Sequence, residues 1–270
     1  MKAFIHHLAY DFKTGIRDKS KLLMFYLFPL VFFALVGGFM TAVNPFFKET
    51  MLPAMLLFAF MSAALLTLPS IILNARESGV FRSYRINGVP SASIIFIPVL
   101  GTAVHMAVVS AAISVAGVAL FGGIAPTNIA GYAAAALLSY LAMAGFGVLI
   151  GVAAGNTNVS VLLGQLIYIP SIILGGLMVP ADLFPQSFKS ISLLMPATHA
   201  MKVFKELGNP QSAVIPWIPI CVLAVSVVLN FCLAALLFQW DSRANQPSRK
   251  AYAALLSAVP FIASLFISAV

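Results

Sequence analysis

Long apolar runs broken by short polar interludes set the pattern of this chain. Seven runs are long enough to cross a hydrocarbon core, which takes roughly 20 helical residues. They fall at residues 22–43, 51–74, 94–121, 129–155, 158–180, 214–238 and 251–270. Lipid cannot satisfy an open backbone, so a spanning run is predicted to be a helix. A barrel needs short alternating strands, and these runs are continuous. The last run contains Pro260, and it reads either as a seventh span or as a re-entrant or interfacial helix.

Three interludes have character of their own. Residues 2–21 place Phe4, Leu8, Phe12 and Ile16 at a spacing of four, with Lys2, His6, Lys13 and Arg17 largely on other faces. That spacing predicts an amphipathic helix lying on the inner membrane surface. Residues 75–93, ARESGVFRSYRINGVPSAS, form a charged, Gly- and Pro-punctuated loop between two spans. Arg82 and Arg85 are three apart, so a helix shows them on one side. Glu77 lies near the N-terminal end of that segment, where a helix favours negative charge, and Gly88 and Pro90 end it. The loop reads as a contact for a soluble partner; a positively charged inner loop with no partner is the plainer alternative. In residues 181–213, Leu183, Phe184, Phe188, Ile191, Leu194 and Met195 alternate with polar residues, and Pro180, Pro185 and Pro196 break the segment. This predicts a pair of short helices dipping into the outer leaflet.

Composition narrows the class. Only 8% of the residues are charged and 61% are hydrophobic, against roughly 25% charged in a soluble domain. Most of the chain must therefore face lipid. The basic residues fix an orientation. With the N-terminus inside, the inner segments hold Lys2, Lys13, Arg17, Lys19, Lys21, Arg76, Arg82, Arg85, Arg243, Arg249 and Lys250, leaving only Lys48, Lys189, Lys202 and Lys205 outside. The net charge of +8 is thus a topology signal rather than a nucleic-acid footprint. No cleavable signal peptide is read. Cys221 and Cys232 lie 11 residues apart in one run, so they share a helix face without pairing, and they read as small buried hydrophobes.

The chemistry expected of an enzyme or an ion-coupled carrier is missing. None of Asp11, Asp18, Glu49, Glu77, Asp182, Glu206 and Asp241 sits deep within an apolar run. A charge at the bilayer centre costs roughly 2.5–3.5 kcal/mol on insertion scales, so where one occurs it usually works. Its absence disfavours coupling to an ion gradient, an aspartyl intramembrane protease and a metal-dependent lipid transferase. No metal-ligand spacing is present, and no G-x-x-x-x-G-K-[ST] loop occurs. Energy for directed work must then come from another polypeptide, and the chain itself is expected to bind no cofactor. His105 lies mid-run and reads as a neutral imidazole hydrogen-bonded to a neighbouring helix, or as a pathway residue. Gly147, Gly151 and Gly155 form a ladder that lets helix backbones approach, within the chain or in a dimer seam. Gly164, Tyr168, Ser171 and Gly175 follow helical spacing with Gln165 beside them, a stripe for packing or for a substrate path. Pro29, Pro53, Pro69, Pro98 and Pro170 can kink their spans. His199 reads as interfacial.

Three parts of the sequence together resemble a known family. The first is the amphipathic start running into RDKSKLLMFYLFPLVF, with Pro29 early in the span. The second is ARESGVFRSYRINGVP, similar to an E-R-E-x-G-T pattern followed by a proline; Glu77, Gly79 and Pro90 match it, while Ala75 and Val80 replace the usual Glu and Thr. The third is GGLMVPADLFPQSFKSISLLMPATHAMKVFKEL, with a P-x-T-x-A-like element at Pro196, Thr198 and Ala200. These are similar to the membrane subunits of type 2 exporters among the ABC transporters. The resemblance implies an all-α polytopic bundle: an interface helix over residues 1–21, a six-span domain over 22–240, and a linker with an additional span over 241–270. It also implies two permease subunits, alike or different, working with a dimer of cytoplasmic ATPase subunits that carry the ATP and Mg. Residues 75–90, with Arg76, Glu77, Gly79, Arg82, Arg85 and Pro90, would be the helix docking on the ATPase. The N-terminal helix would be a second contact, and residues 181–207 the outer re-entrant helices gating exit. The expected activity is outward movement of a hydrophobic or amphipathic cargo, a lipid, peptide or drug, with no covalent chemistry. The rivals are a secondary carrier or channel, a membrane enzyme acting on lipids, and a sensor or immunity subunit without net transport.

Overall fold

The computed structural model describes residues 12–13, 15–44, 46–179, 184–209, 215–240 and 249–267. Among them every regular element is helical. Six helices are long and apolar enough to span a membrane: α1 (Lys19–Val43), α2 (Phe47–Glu77), α4 (Ser91–Phe121), α5 (Ile129–Ala153), α6 (Thr157–Leu174) and α9 (Trp217–Leu237). Between them lie α3 (Val80–Ile86), α7 (Gln186–Ser192) and α8 (Pro196–Gly208). The chain is a polytopic helical membrane protein.

The seventh predicted run, as far as it is described, holds two kinds of helix. Arg249–Ala258 is a 3-10 helix and only Val259–Ile267, α10, is α-helical. Among the described residues its apolar part is Tyr252–Ile267, shorter than the other six. The hydropathy of 251–270 was read correctly, but hydropathy does not report the hydrogen-bond register. The fifth run also stops early, at Leu174 rather than near residue 180, because Gly175 caps it and Gly176 turns left-handed at φ 82°.

Two helices form the centre. In the most apolar stretch of α2, 83% of residues are buried, and 78% in α5, against 22–33% in the other four spans. α1, α4, α6 and α9 therefore surround the α2–α5 pair and turn one face outward. Leu35, Phe39, Leu162, Leu166, Val228 and Leu236 are among the exposed residues of those faces. Cys221 and Cys232 are also exposed on α9, not buried as expected; an outward face in lipid needs apolar side chains as much as a core does.

The central pair can approach because α5 carries glycine where its neighbours press. A Cβ on Gly147 would collide with the Ala64 carbonyl of α2. One on Gly151 would lie 3.0 Å from Ile72 Cβ and 3.1 Å from Pro69 Cα. Gly145 admits Asn230 of α9, whose Cβ lies 3.1 Å from the same construction. Gly155 ends the ladder differently, with nothing within 4 Å. The first two rungs are thus contacts within the chain.

Two of the five prolines reorganise their helices, and both do so in the same way. Leu23–Leu27 of α1 and Ser62–Thr67 of α2 are π-helical, and each stretch ends just before a Leu/Phe–Pro pair. Phe28 N–H bonds Leu23 O, and Leu68 N–H bonds Ala63 O, one residue further back than in an α-helix. The cause is steric: a proline ring clashes with the carbonyl four residues earlier and offers it no N–H, so the chain widens to carry that carbonyl aside. Pro69 thereby offers no donor to Leu65 O in the α register or to Ala64 O in the π register. Gly147 of α5 and Gly164 of α6 press on those same two carbonyls, a position where Cα–H groups give weak compensating contacts. The helices run on through Pro53, Pro98 and Pro170.

Candidate functional site

The loop between α2 and α4 is mostly helix. α2 runs on to Glu77, so Glu77 closes α2 rather than opening the next helix as expected. Gly79 then takes a left-handed φ of 77° and lets the chain turn into α3. Gly88 does the same at the far end with φ 70°, and Pro90 at φ −67° starts α4. The result is a seven-residue helix held off the end of the bundle by a glycine on each side.

One residue anchors it. Phe81 is 2% exposed, with its ring 5.5 Å from Phe238 at the end of α9, and Phe238 in turn meets Trp240 edge-on at 5.2 Å. The other face is open: Arg82, Ser83, Arg85 and Ile86 are exposed, with Ile86 80% so. Ile86 follows Arg85 directly and lies four residues after Arg82, a bare apolar side chain beside two cationic ones.

Arg76 does something else. Its guanidinium is half-buried and donates from Nη1 to Val152 O at 3.0 Å and from Nη2 to Ala154 O at 2.6 Å. It caps the C-terminal end of α5, where a helix presents unpaired carbonyls and partial negative charge. Arg76 therefore ties the α2 end to α5 instead of facing outward with Arg82 and Arg85. Arg76→Ala is expected to lower the thermal unfolding midpoint, since hydrogen bonds to a charged group contribute about 1.5–3 kcal/mol. Arg76→Lys should recover little, because one ammonium cannot span two carbonyls as a planar fork does. Unfolding followed by intrinsic fluorescence in detergent reads both.

His105 joins α4 to α1. It is 2% exposed, and its Nδ1 lies 2.8 Å from Tyr26 Oη in the π-helical stretch of α1. Its ring stacks with Phe12 at 4.7 Å and with Phe25 at 5.2 Å. A Cβ on Gly15 would stand 2.8 Å from His105 Nε2. Phe12 thus turns toward the protein, while Ile16 stays 45% exposed; Phe4 and Leu8 lie outside the described residues. Asp18 starts α1 by accepting from Ser20 N at 2.9 Å and Lys21 N at 3.3 Å.

The stripe on α6 divides. Tyr168 and Ser171 are buried and their hydroxyls lack hydrogen-bond partners, whereas Gln165 is exposed on the outward face. The periodicity put them on neighbouring faces, and only the packing of α6 on α2 tells which face is inside.

At the opposite end of the bundle, α7 and α8 form a tight hairpin. Thr198 Oγ1 donates to Ser192 O at 2.6 Å, and His199 Nε2 lies 2.8 Å from Leu193 O. Both side chains belong to the Pro196–Ala200 element, so that motif pins the turn it follows. His199 is 1% exposed, buried against its neighbours. α8 lies along α5: Phe204 meets Tyr132 at 4.9 Å, and Asn128 N donates to Gly208 O at 2.9 Å. With 13 residues, α8 reaches about 20 Å along α5 from that end, well into a hydrocarbon layer about 30 Å thick.

Among the described residues, no group of His, Cys, Asp or Glu is arranged to hold a metal ion. The sequence signals for α3 were its glycines and arginines; nothing in the sequence singled out Phe81, whose importance depends on Phe238 lying beside it.

The structure thus places a short exposed helix at one end, a pinned hairpin at the other and six apolar helices between them. No curated protein matches the chain. The family model of the ABC-2 type transporter matches residues 3–208, which takes in α1 to α8. The chain belongs to the ABC-2 type transporter family and is a membrane permease component.

Proposed function

We propose that this permease exports a hydrophobic or amphipathic cargo, driven by a separate cytoplasmic ATPase that docks on α3. The single observation that carries this reading is α3 itself. It is a short helix gripped on one side by Phe81 and offering Arg82, Arg85 and Ile86 on the other. Members of the family work with an ABC ATPase, so a protein contact that pushes on α3 would pass through Phe81 to α9, and through α2 and Arg76 to α5.

The remaining assignments follow the same orientation. The end bearing Arg76, Arg82 and Arg85 lies in the cytoplasm, as the excess of basic residues supports, with the N-terminus on that side of a cell membrane. The N-terminal helix lies against inner-leaflet lipid and reaches the bundle through Phe12. The α7–α8 hairpin gates exit on the outer side. Two permease subunits act with two ATPase subunits, which bind the ATP and Mg; this chain binds neither. The cargo is a lipid, peptide or drug, consistent with spans free of buried carboxylates.

Arg82→Glu tests the reading. The residue is exposed, so the variant should insert and purify as the parent does. Pull-down of the parent should bring an ATPase subunit with it, and the variant should lose that subunit along with ATP-dependent export from reconstituted vesicles. Transport that continues in the parent without any ATPase would instead establish a secondary carrier or channel.

A further inference from the structure

The chain continues beyond the region that matches the family. Its C-terminal segment, the 3-10 helix Arg249–Ala258 followed by α10, packs on α9 and α5. α10 ends against the hairpin. Phe261 is 2% exposed and lies 5.7 Å from Phe146 of α5 and 5.7 Å from His199 of α8, ring to ring. Ser264 is fully buried. Its Oγ is 3.4 Å from His199 Nε2 and 3.4 Å from Leu193 O, the turn carbonyl that His199 already contacts. Its single proton serves one acceptor at a time, and the shortest contact is to Phe261 O at 2.7 Å. The opposite face of the segment, with Leu255, Val259, Ile262 and Phe266, is exposed and apolar, which suits lipid.

We propose that residues 249–267 are a built-in clamp on the α7–α8 hairpin. α7 and α8 are short, and the hairpin turn between them is pinned by Thr198 and His199 from within. The clamp adds a third body, wedged between the hairpin and α5 through Phe261 and Ser264. The segment also packs on α9, and the end of α9 is where Phe81 of α3 is seated. A push on α3 therefore reaches the hairpin by a second route: through Phe238 to α9, and across the packing of the C-terminal segment on α9 to Leu193 and His199. Releasing Phe261 frees the hairpin to rise. This rests on the hairpin being the exit gate, but the clamp itself is testable without any transport.

The experiment is hydrogen–deuterium exchange on the full-length protein in lipid nanodiscs, comparing the parent with Phe261→Ala/Ser264→Ala. Exchange in the peptides covering Gln186–Gly208 should rise about tenfold, with α2 still protected as the sign that the bundle is intact. Unchanged hairpin exchange with α2 intact overturns the clamp. A second variant guards against misfolding of the first: His199→Cys/Ser264→Cys, in a chain with Cys221→Ser and Cys232→Ser. A short bifunctional thiol reagent should link the pair in the resting protein, and absence of the link overturns the contact. If the complex with its ATPase moves no cargo, the export reading falls and the exchange result still decides the clamp.

Discussion

Gly147→Val will leave little folded protein to purify. The new Cβ would enter the space of the Ala64 carbonyl, and that carbonyl sits in the most buried helix of the molecule. Neither side has a flexible side chain to swing away, because the contact is backbone against backbone. Overpacking a core costs typically about 1–3 kcal/mol, and more where nothing yields. The total stability of a domain is only about 5–15 kcal/mol, so separating α2 from α5 removes a large share of it. Gly155→Val is the internal control. It lies on the same ladder, eight residues on, yet a Cβ there meets nothing within 4 Å. Size-exclusion yield of fluorescent fusions should collapse for the first and stay near the parent for the second. Equal yields would mean that the ladder does not hold α2 and α5 together.

Phe81→Ala should separate stability from function. A buried Phe→Ala change costs about 3–5 kcal/mol in a core. Here the loss falls on a seven-residue helix bounded by two left-handed glycines, so α3 should come loose while the bundle stands. The expected signs are faster tryptic cleavage at Arg82 and Arg85, an unfolding midpoint within a few degrees of the parent, and ATP-driven export reduced at least about tenfold. Ile86→Ala makes the contrast. Ile86 is 80% exposed, so its loss should weaken ATPase binding without speeding proteolysis in the free protein. If Phe81→Ala leaves α3 protected, then the Phe238 contact is not its anchor, and the route from α3 into α9 is lost.

Some of this was readable residue by residue. The six spans appear within a few positions of their apolar runs, because membrane helices answer to a local average of hydropathy. Gly79, Gly88 and Pro90 announced α3 because their backbone preferences are their own. The glycine ladder announced a close helix contact, though not its partner. Other features stayed silent. Pro29 and Pro69 were read as able to kink their spans, but the π-helical stretch before each was not foreseen, since the outcome depends on what packs against the displaced carbonyls. Arg76 looked like its neighbours Arg82 and Arg85 until the end of α5 was found within its reach. Cys221 and Cys232 looked buried, because periodicity gives a helix faces without saying which one turns inward.

The linear order of apolar and polar residues was enough to establish a multi-span helical membrane bundle with a charged loop at one end and a broken hairpin at the other. Those properties follow from short-range preferences and from the cost of placing polar groups in lipid. Which arginine caps a helix and which stay exposed, which glycines touch, and that the last helix closes on His199 were settled by folding alone. Each of these depends on groups brought together from distant parts of the chain, and no local pattern encodes that meeting.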